Sequence, residues 1–415
     1  MSDPADTRLP AEFIRAPLTD LGNAERLVVL FGQDLAWTEA WGWLVWDGQR
    51  WAIDSQRKVE ELAVATVRAM YRAAAQLDDP DRRKALASWA QRSESRSRIE
   101  AMVALARHMT ARKADEFDSD PWLLNCANGT LDLRTGEFRP HRREDLVTKL
   151  APVVYAPDAR SELWERFLRE AYGGDQDMIG FLQPGTGYSL TGSNAEEKLF
   201  LIHGPGATGK STFLESIKAT LGDYAWTSDF ETFLLRRPGS VRNDIAELAG
   251  RRFVISIEVE EGSRLAEGLV KMLTGGDTVR ARFLYREAFQ FVPQFKLWLA
   301  ANHAPKARGD GTALWRRIVR VPFEHVIPVH KRDPQVKARL RDPEDSGPAI
   351  LAWAVQGCLT WQQRGLGIPQ AAIRATDEYR EQCDPLGRFP PRTVQDHAQG
   401  HRERQPAVSG VPRMV

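Results

Sequence analysis

One segment joins glycines, a lysine and hydroxyls at a spacing that suits polyphosphate. Gly204-Pro205-Gly206-Ala207-Thr208-Gly209-Lys210-Ser211-Thr212 fits GxxxxGK[ST], the Walker A pattern. Glycines let successive backbone N–H groups curl toward an anion without Cβ clashes. A helix that follows aims its positive end at the same point. The Lys210 ammonium then reaches the β- and γ-phosphates, and the Ser211 hydroxyl ligates Mg²⁺. The flanks agree. Lys198 to Ile202 reads as an apolar strand, and Phe213, Leu214, Ile217 and Leu221 share one helical face that Gly222 stops. The nine residues are expected to bind ATP with Mg²⁺.

Hydrolysis needs more than a phosphate cradle. Glu258 directly follows a second strand, residues 252–257, and Glu260 stands two residues on, so an extended segment points both the same way. One carboxylate holds Mg²⁺ or orients the attacking water; Glu258 is the expected metal ligand beside Ser211, and the spacing leaves the division of labour with Glu260 open. Asn302 closes a third strand that begins at Phe295. Its amide suits the attacking water or the γ-phosphate. Arg316 and Arg317 precede a fourth strand, 318–321, and one of the two suits an arginine finger inserted into a neighbouring subunit's ATP. The expected catalytic set is therefore Lys210, Glu258, Glu260, Asn302, Arg316 and Arg317.

These residues need a scaffold. From 198 onward strands alternate with helices, which predicts an α/β fold with a mostly parallel sheet. The chain before it reads differently. Residues 1–22 read as a flexible leader. Trp37, Trp41, Trp43, Trp46 and Trp51 lie in hairpin material with Asp47-Gly48 as a two-residue turn. Residues 57–77 read as a helix with Val59, Leu62, Ala63, Val67, Met70, Tyr71 and Ala74 on one face. A second helical region spans 81–112. Short β pieces start near 122, with turns at Asn128-Gly129 and Thr135-Gly136, and helix returns at 161–172. No chemistry stands out in 1–190, and its tryptophans read as core. Helices are expected at 349–363 and 371–381. After Cys383 apolar periodicity stops and proline recurs at 385, 390, 391, 406 and 412, the composition of a disordered tail.

Composition narrows the class. The 415 residues allow two or three domains, and 42% hydrophobic with 27% charged residues is ordinary globular make-up. The net charge of +1 means that any nucleic-acid contact comes from a local basic patch. The three cysteines, Cys126, Cys358 and Cys383, show no CxxC spacing, and the eight histidines no metal-ligand spacing. The N-terminus lacks a basic and apolar leader, and no run of about 20 apolar residues exists. A cytoplasmic protein without membrane contact is expected.

The order of the motifs carries a resemblance. Walker A is followed by Arg251-Arg252-Phe253-Val254-Ile255-Ser256-Ile257-Glu258. Then come Leu269-Val270-Lys271-Met272-Leu273-Thr274-Gly275-Gly276-Asp277 with Arg280 and Arg282, then Trp298-Leu299-Ala300-Ala301-Asn302, then Trp315-Arg316-Arg317. Upstream, Leu124 to Leu133 and Gly185 to Gly192 fit the same family. Over roughly residues 25–380 the chain resembles the superfamily III helicase domain of phage and plasmid primase–helicases, related to poxvirus and satellite-phage primases. The resemblance implies an AAA+-like P-loop NTPase core preceded by a mixed, mainly helical domain. It implies the boundaries 1–22 leader, 23–190 helical and β domain, 191–330 ATPase core, 331–383 C-terminal helices and 384–415 tail.

In that family the segments are Walker A, Walker B, the B′ motif, sensor 1 and the arginine finger. The implied activity is an ATP-dependent DNA helicase or translocase working as a ring, a hexamer, with ATP between subunits. A hairpin between B′ and sensor 1 would track single- or double-stranded DNA. Residues 280–291 carry Arg280, Arg282, Phe283, Tyr285, Arg286, Phe289 and Phe291, a basic and aromatic mixture suited to that contact. The expected DNA-binding residues are Lys271, Arg280, Arg282, Tyr285 and Arg286. A primase or replication initiator is admitted as a further partner, in a bacterial or phage-infected cell. Two departures stand out: Glu-x-Glu in place of adjacent acids, and no primase polymerase domain, so primer synthesis is not expected. Family members continue into a small winged-helix-like domain where this chain turns Pro/Arg-rich, which reads as a truncated or frame-shifted end. The competing readings are a small-molecule kinase and a non-unwinding relic that still binds ATP and DNA.

Overall fold

The computed structural model describes residues 9–235, 243–257, 263–282, 288–307 and 312–383. Glu258, Glu260, Phe283, Tyr285, Arg286 and the 384–415 segment lie outside the described residues. The N-terminal unit comprises α1 (Ala11–Arg15), α2 (Asp20–Phe31), β1 (Leu35–Thr38), β2 (Gly42–Trp46), β3 (Trp51–Ile53), α3 (Lys58–Ala75), α4 (Pro80–Ser93) and α5 (Arg96–Met109). One core joins its helices, from Phe13 through Leu27, Val67 and Met70 to Ala106. The expected leader is therefore corrected. Residues 11–22 are largely helical, Phe13 is fully buried, and the Arg26 guanidinium holds the turn between α1 and α2 through the carbonyls of Phe13, Ala16 and Pro17.

The helical region expected over 81–112 is present as two helices. Asp79 caps α4 with Pro80 at its first turn, and Ser95 restarts the chain as α5. β2 and β3 join through four residues rather than two, because Asp47 N–H bonds Arg50 O and Trp46 faces Trp51. The tryptophans pack on one another, Trp37 edge-on to Trp43 at 5.4 Å.

β4 (Leu123–Cys126), β5 (Gly129–Asp132) and β6 (Glu137–Arg139) form an antiparallel meander, followed by α6 (Glu162–Ala171) and α7 (Gln176–Leu190). Then come β7 (Leu199–His203), α8 (Lys210–Leu221), β8 (Ala225–Thr227), α9 (Asn243–Ala246), β9 (Phe253–Ile257), α10 (Glu267–Thr274), β10 (Val279–Arg282), β11 (Ala288–Phe291), β12 (Lys296–Ala301), α11 (Thr312–Trp315), β13 (Ile318–Pro322), α12 (Pro334–Leu340), α13 (Gly347–Arg364) and α14 (Gln370–Cys383). The central sheet runs β13-β7-β12-β9-β8, all parallel, as expected for the α/β class; the short edge strand β8 had no clear sequence signal. Among the described residues no helix is long and apolar enough to cross a membrane.

The break expected at 190/191 is not a break in packing. α7 runs across one face of the sheet. Its backbone passes over Phe200 and Trp298 at Gly185, Trp298 Nε1–H donates to Ser189 Oγ at 3.0 Å, and Phe200 stacks on Trp298 at 4.1 Å. α13 closes on α7 where two glycines cross: a Cβ at Gly187 would stand 2.0 Å from Cys358 N, and one at Gly357 would stand 2.1 Å from Gln183 O. Two buried cations fasten the end of α7. Arg252 donates to Leu190 O at 3.0 Å, and Lys296 donates to Thr191 O and, at 3.2 Å, to Ser193 O. Cations at a helix carboxyl end match its dipole. One core thus runs from Leu124 to Ala372, so the segments 118–190 and 347–372 pack as one body with the sheet.

This predicts where the chain can be cut. Residues 191–383 alone leave Phe200 and Trp298 uncovered, at roughly 1.5–3 kcal/mol per large apolar side chain, against a typical domain stability of about 5–15 kcal/mol. That fragment should show no cooperative thermal transition, while 118–383 should melt cooperatively. Scanning calorimetry decides between them; a sharp transition for 191–383 would restore the original boundary.

Candidate nucleotide site

β7 delivers the chain to the loop at His203, and α8 takes it away at Lys210. Gly204 has φ +153, and a Cβ there would lie 1.9 Å from Phe323 O, so only glycine fits. Ala207 holds a left-handed φ of +62. The segment after β13 braces the loop from outside: Phe323 N–H donates to His203 O at 2.7 Å and Ile327 N–H to Ala207 O at 3.0 Å. Thr208 Oγ1 donates to Pro205 O at 3.2 Å, and Gly209 rests against Phe167 of α6. Pro205 and Gly206 are exposed, and Ser211 and Thr212 half-buried, at the start of a twelve-residue helix. Lys210 Nζ donates to Gly204 O at 2.7 Å and Pro205 O at 2.6 Å, and burial lowers its pKa. The ammonium thus lies across the loop among its carbonyls. A cradle of this shape, with a lysine head among the loop carbonyls and a helix start, fits a polyphosphate.

Asn302 follows β12, and Ala301 pairs with His203 in parallel register. Neighbouring strands stand about 5 Å apart, so the exposed Asn302 leaves the sheet beside the first loop residue. β9 reaches the same edge, with Ile257 opposite Ala300. Glu258 and Glu260 come next in sequence but lie outside the described residues.

The arginines sit elsewhere. Ile318 pairs with Leu199 and Pro322 with His203, so Arg316 and Arg317 enter β13 at the edge opposite the loop. Five residues at roughly 3.3 Å each put about 15 Å of strand between the two ends. The pair is not equivalent. Glu197 Oε2 accepts from Arg316 at 3.0 Å and from Arg317 at 2.9 Å, but the Arg316 side chain is 62% exposed and that of Arg317 only 9%. Arg317 also donates to Ala313 O at 2.8 Å. Arg317 is thereby held inside the fold, and Arg316 is the one that faces outward.

The expected DNA-contact hairpin is present between α10 and β12, with β10 antiparallel to β11. Val279 and Ala281 face the core while Arg280 and Arg282 are exposed. Phe289 and Phe291 pack against the same core, 6.0 Å apart. Lys271 is half-buried on α10, whose Val270 and Leu273 share a core with Val279 and Ala281 of the hairpin.

Sequence reasoning missed His203 and Arg320. Arg320 Nη2–H donates to His203 Nδ1 at 2.8 Å, so that nitrogen must be the unprotonated one. Burial first, then the charges of Arg320, Lys210 and His303, press the His203 pKa from 6.5 down to about 4. The base of the phosphate loop therefore stays neutral around pH 7. Burial likewise pushes the Cys126 and Cys358 thiols up to about 12, which suits core packing.

Residues 24–173 match the family described as D5 N terminal like, and residues 202–317 match a family of unknown function (DUF5906). The chain is 29% identical over 293 residues to "Putative helicase L207/L206" of Acanthamoeba polyphaga mimivirus, covering 65% of this chain and 30% of that protein. It is 24% identical over 355 residues to "Putative helicase 022R" of Frog virus 3 (isolate Goorha), covering 66% and 36%. The chain thus spans about a third of the length of these curated relatives. A solved structure titled "The A form apo structure of NrS-1 C terminal region-CTR" aligns at TM-score 0.44 and 12% identity, over 56% of this chain and 54% of the other.

Two outcomes follow from the geometry. Arg317→Ala removes buried contacts and should cost about 1–3 kcal/mol of stability, whereas Arg316→Ala should stay within about 0.5 kcal/mol; urea denaturation of both separates them, and equal costs would remove the distinction. The second concerns acid. His203 takes up a proton near pH 6.5 when unfolded and only near 4 when folded, so the unfolded state binds more protons between those values. Stability should fall as pH drops from 6.5 to 4, and His203→Gln should flatten part of that slope. Melting curves at stepped pH read it, and an unchanged slope in the variant would contradict the assignment.

Proposed function

We propose that this chain, which belongs to the superfamily III primase–helicase-like family, hydrolyses ATP at the interfaces of a ring and uses it to move along DNA. The observation that carries this reading is the division of the sheet edges. The phosphate loop and Asn302 share one edge; Arg316 stands exposed at the other, about a strand's length away, so it serves a neighbour's site and not its own.

The roles follow from placement. Backbone N–H groups of Gly206 to Thr212 and the Lys210 ammonium bind the triphosphate. Ser211 and Glu258 would hold Mg²⁺, which when bound offsets charge on the phosphates. Glu258 or Glu260 accepts a proton from the attacking water, and Asn302 orients that water against the γ-phosphate. Arg316 of the adjacent subunit stabilises the negative charge that builds on the transferred group. The exposed Arg280 and Arg282, with Tyr285, Arg286 and Lys271, meet the DNA backbone and bases. The names of the viral relatives support the helicase part of this reading. A hexamer and a cytoplasmic setting in a bacterial or phage-infected cell complete it.

Lys210→Ala should reduce ATP turnover to background while still melting cooperatively as a folded protein. Arg316→Ala should lower it by roughly 10³. Mixing the two inactive variants should restore partial activity, because some interfaces then keep an intact loop facing an intact finger. Single-stranded DNA should stimulate the wild-type chain. Near wild-type turnover in Lys210→Ala would overturn the nucleotide site. No rescue at any mixing ratio, from a protein of monomer mass, would overturn the ring. Hydrolysis indifferent to DNA would leave an ATPase without a translocase.

A further inference from the structure

The two edges of the sheet that carry the proposed chemistry are joined through one buried side chain outside them. Tyr379 lies on α14, 1% exposed. Its hydroxyl donates to Pro305 O, three residues beyond Asn302. Its ring meets Trp315 edge-on, centroids 5.2 Å apart at 75°, and Trp315 is the residue before Arg316. α14 itself is anchored. Thr376 Oγ1 accepts from Arg320 N–H at 3.0 Å, and Arg320 Nη1 donates to Ala375 O at 3.3 Å, which docks the helix on β13.

The loop beyond Asn302 has a second tether. Lys306 N–H donates to Ser263 O at 2.7 Å and Leu265 N–H to Lys306 O at 3.0 Å, so it is stitched to the chain emerging from Glu258 and Glu260. Tyr379 therefore touches the loop that carries the water-orienting amide and the helix that presents the finger.

We propose that Tyr379 is a positioning residue that fixes the Asn302 loop and the Arg316 helix relative to each other. The sensor in one ATP site and the finger offered to the next then shift together. The inference rests on the ATPase reading above. Its physical content is small in distance and large in rate: misplacing a reacting group by about 1 Å can cost about 10² in rate. A hydroxyl bonded to the loop carbonyl and a ring wedged on Trp315 set that distance.

The test uses the full chain and compares Tyr379→Phe, Thr376→Val and wild type. Tyr379→Phe keeps the ring and deletes the bond to Pro305. Its kcat for ATP should fall about tenfold, with KM and the affinity for fluorescent ADP within about twofold, because the phosphate loop does not touch Tyr379. Thr376→Val loosens the docking of α14 but keeps both Tyr379 contacts, and should retain wild-type kcat. If Tyr379→Phe does not accumulate as folded protein, Trp315→Phe weakens the other contact and should show the same kcat loss at constant KM. A wild-type kcat in Tyr379→Phe overturns the proposal, as does an equal loss in Thr376→Val. A wild-type chain that binds ADP but never hydrolyses ATP would overturn the hydrolysis reading and this inference with it; wild-type hydrolysis with an indifferent Tyr379→Phe overturns this inference alone.

Discussion

Five strands paired in parallel can expose their carboxyl ends along only one edge, and that constraint arranges everything else in this protein. β7, β12 and β9 bring His203, Ala301 and Ile257 to the same line. The glycine loop and Asn302 emerge there. The opposite edge receives what precedes each strand, and so collects Arg252, Lys296, Arg316 and Arg317. Arg316 at the entry of β13 stands about a strand's length from the loop at the exit of β7 in the same chain.

The entry edge also explains why residues 118–190 pack as one body with the sheet. Arg252 and Lys296 are buried cations that need oxygen partners. They find them in the last carbonyls of α7. That fixes α7 across the face made by Phe200 and Trp298, and the glycine crossing with α13 locks a third layer on top. The phosphate loop then gains its outer supports, Phe167 from α6 and the chain after β13. The glycine loop at one edge is supported by a helix that helix-end electrostatics fixes at the other.

Much of this was legible in the residues. The apolar runs at β7, β9, β12 and β13 and the face of α8 announce a parallel sheet, and the structure has one. The hairpin after α10 was implied by the family resemblance, and its alternation of exposed arginine with buried apolar residues emerges from the fold. α7 was not. It holds Gly180, Pro184, Gly185 and Gly187, which depress helix propensity, and only the close crossing with α13 makes those residues an advantage. The buried partners were invisible for a related reason. Nothing local distinguishes Arg317 from Arg316, or marks His203, Arg320 and Tyr379, because their roles come from strands and helices distant in sequence. Phe13 and Arg26 likewise turn a polar-looking start into packed structure through contacts along and beyond α2.

The claim on which the account rests is that one chain supplies only part of an ATP site. The direct measurement is ATP turnover per chain as protein concentration is raised, with mass followed by light scattering in the same samples. Turnover per chain should be near zero at monomer mass, climb as the ring forms, and level off when assembly is complete. A turnover per chain that is constant across the range, with the mass remaining that of the monomer, would contradict it.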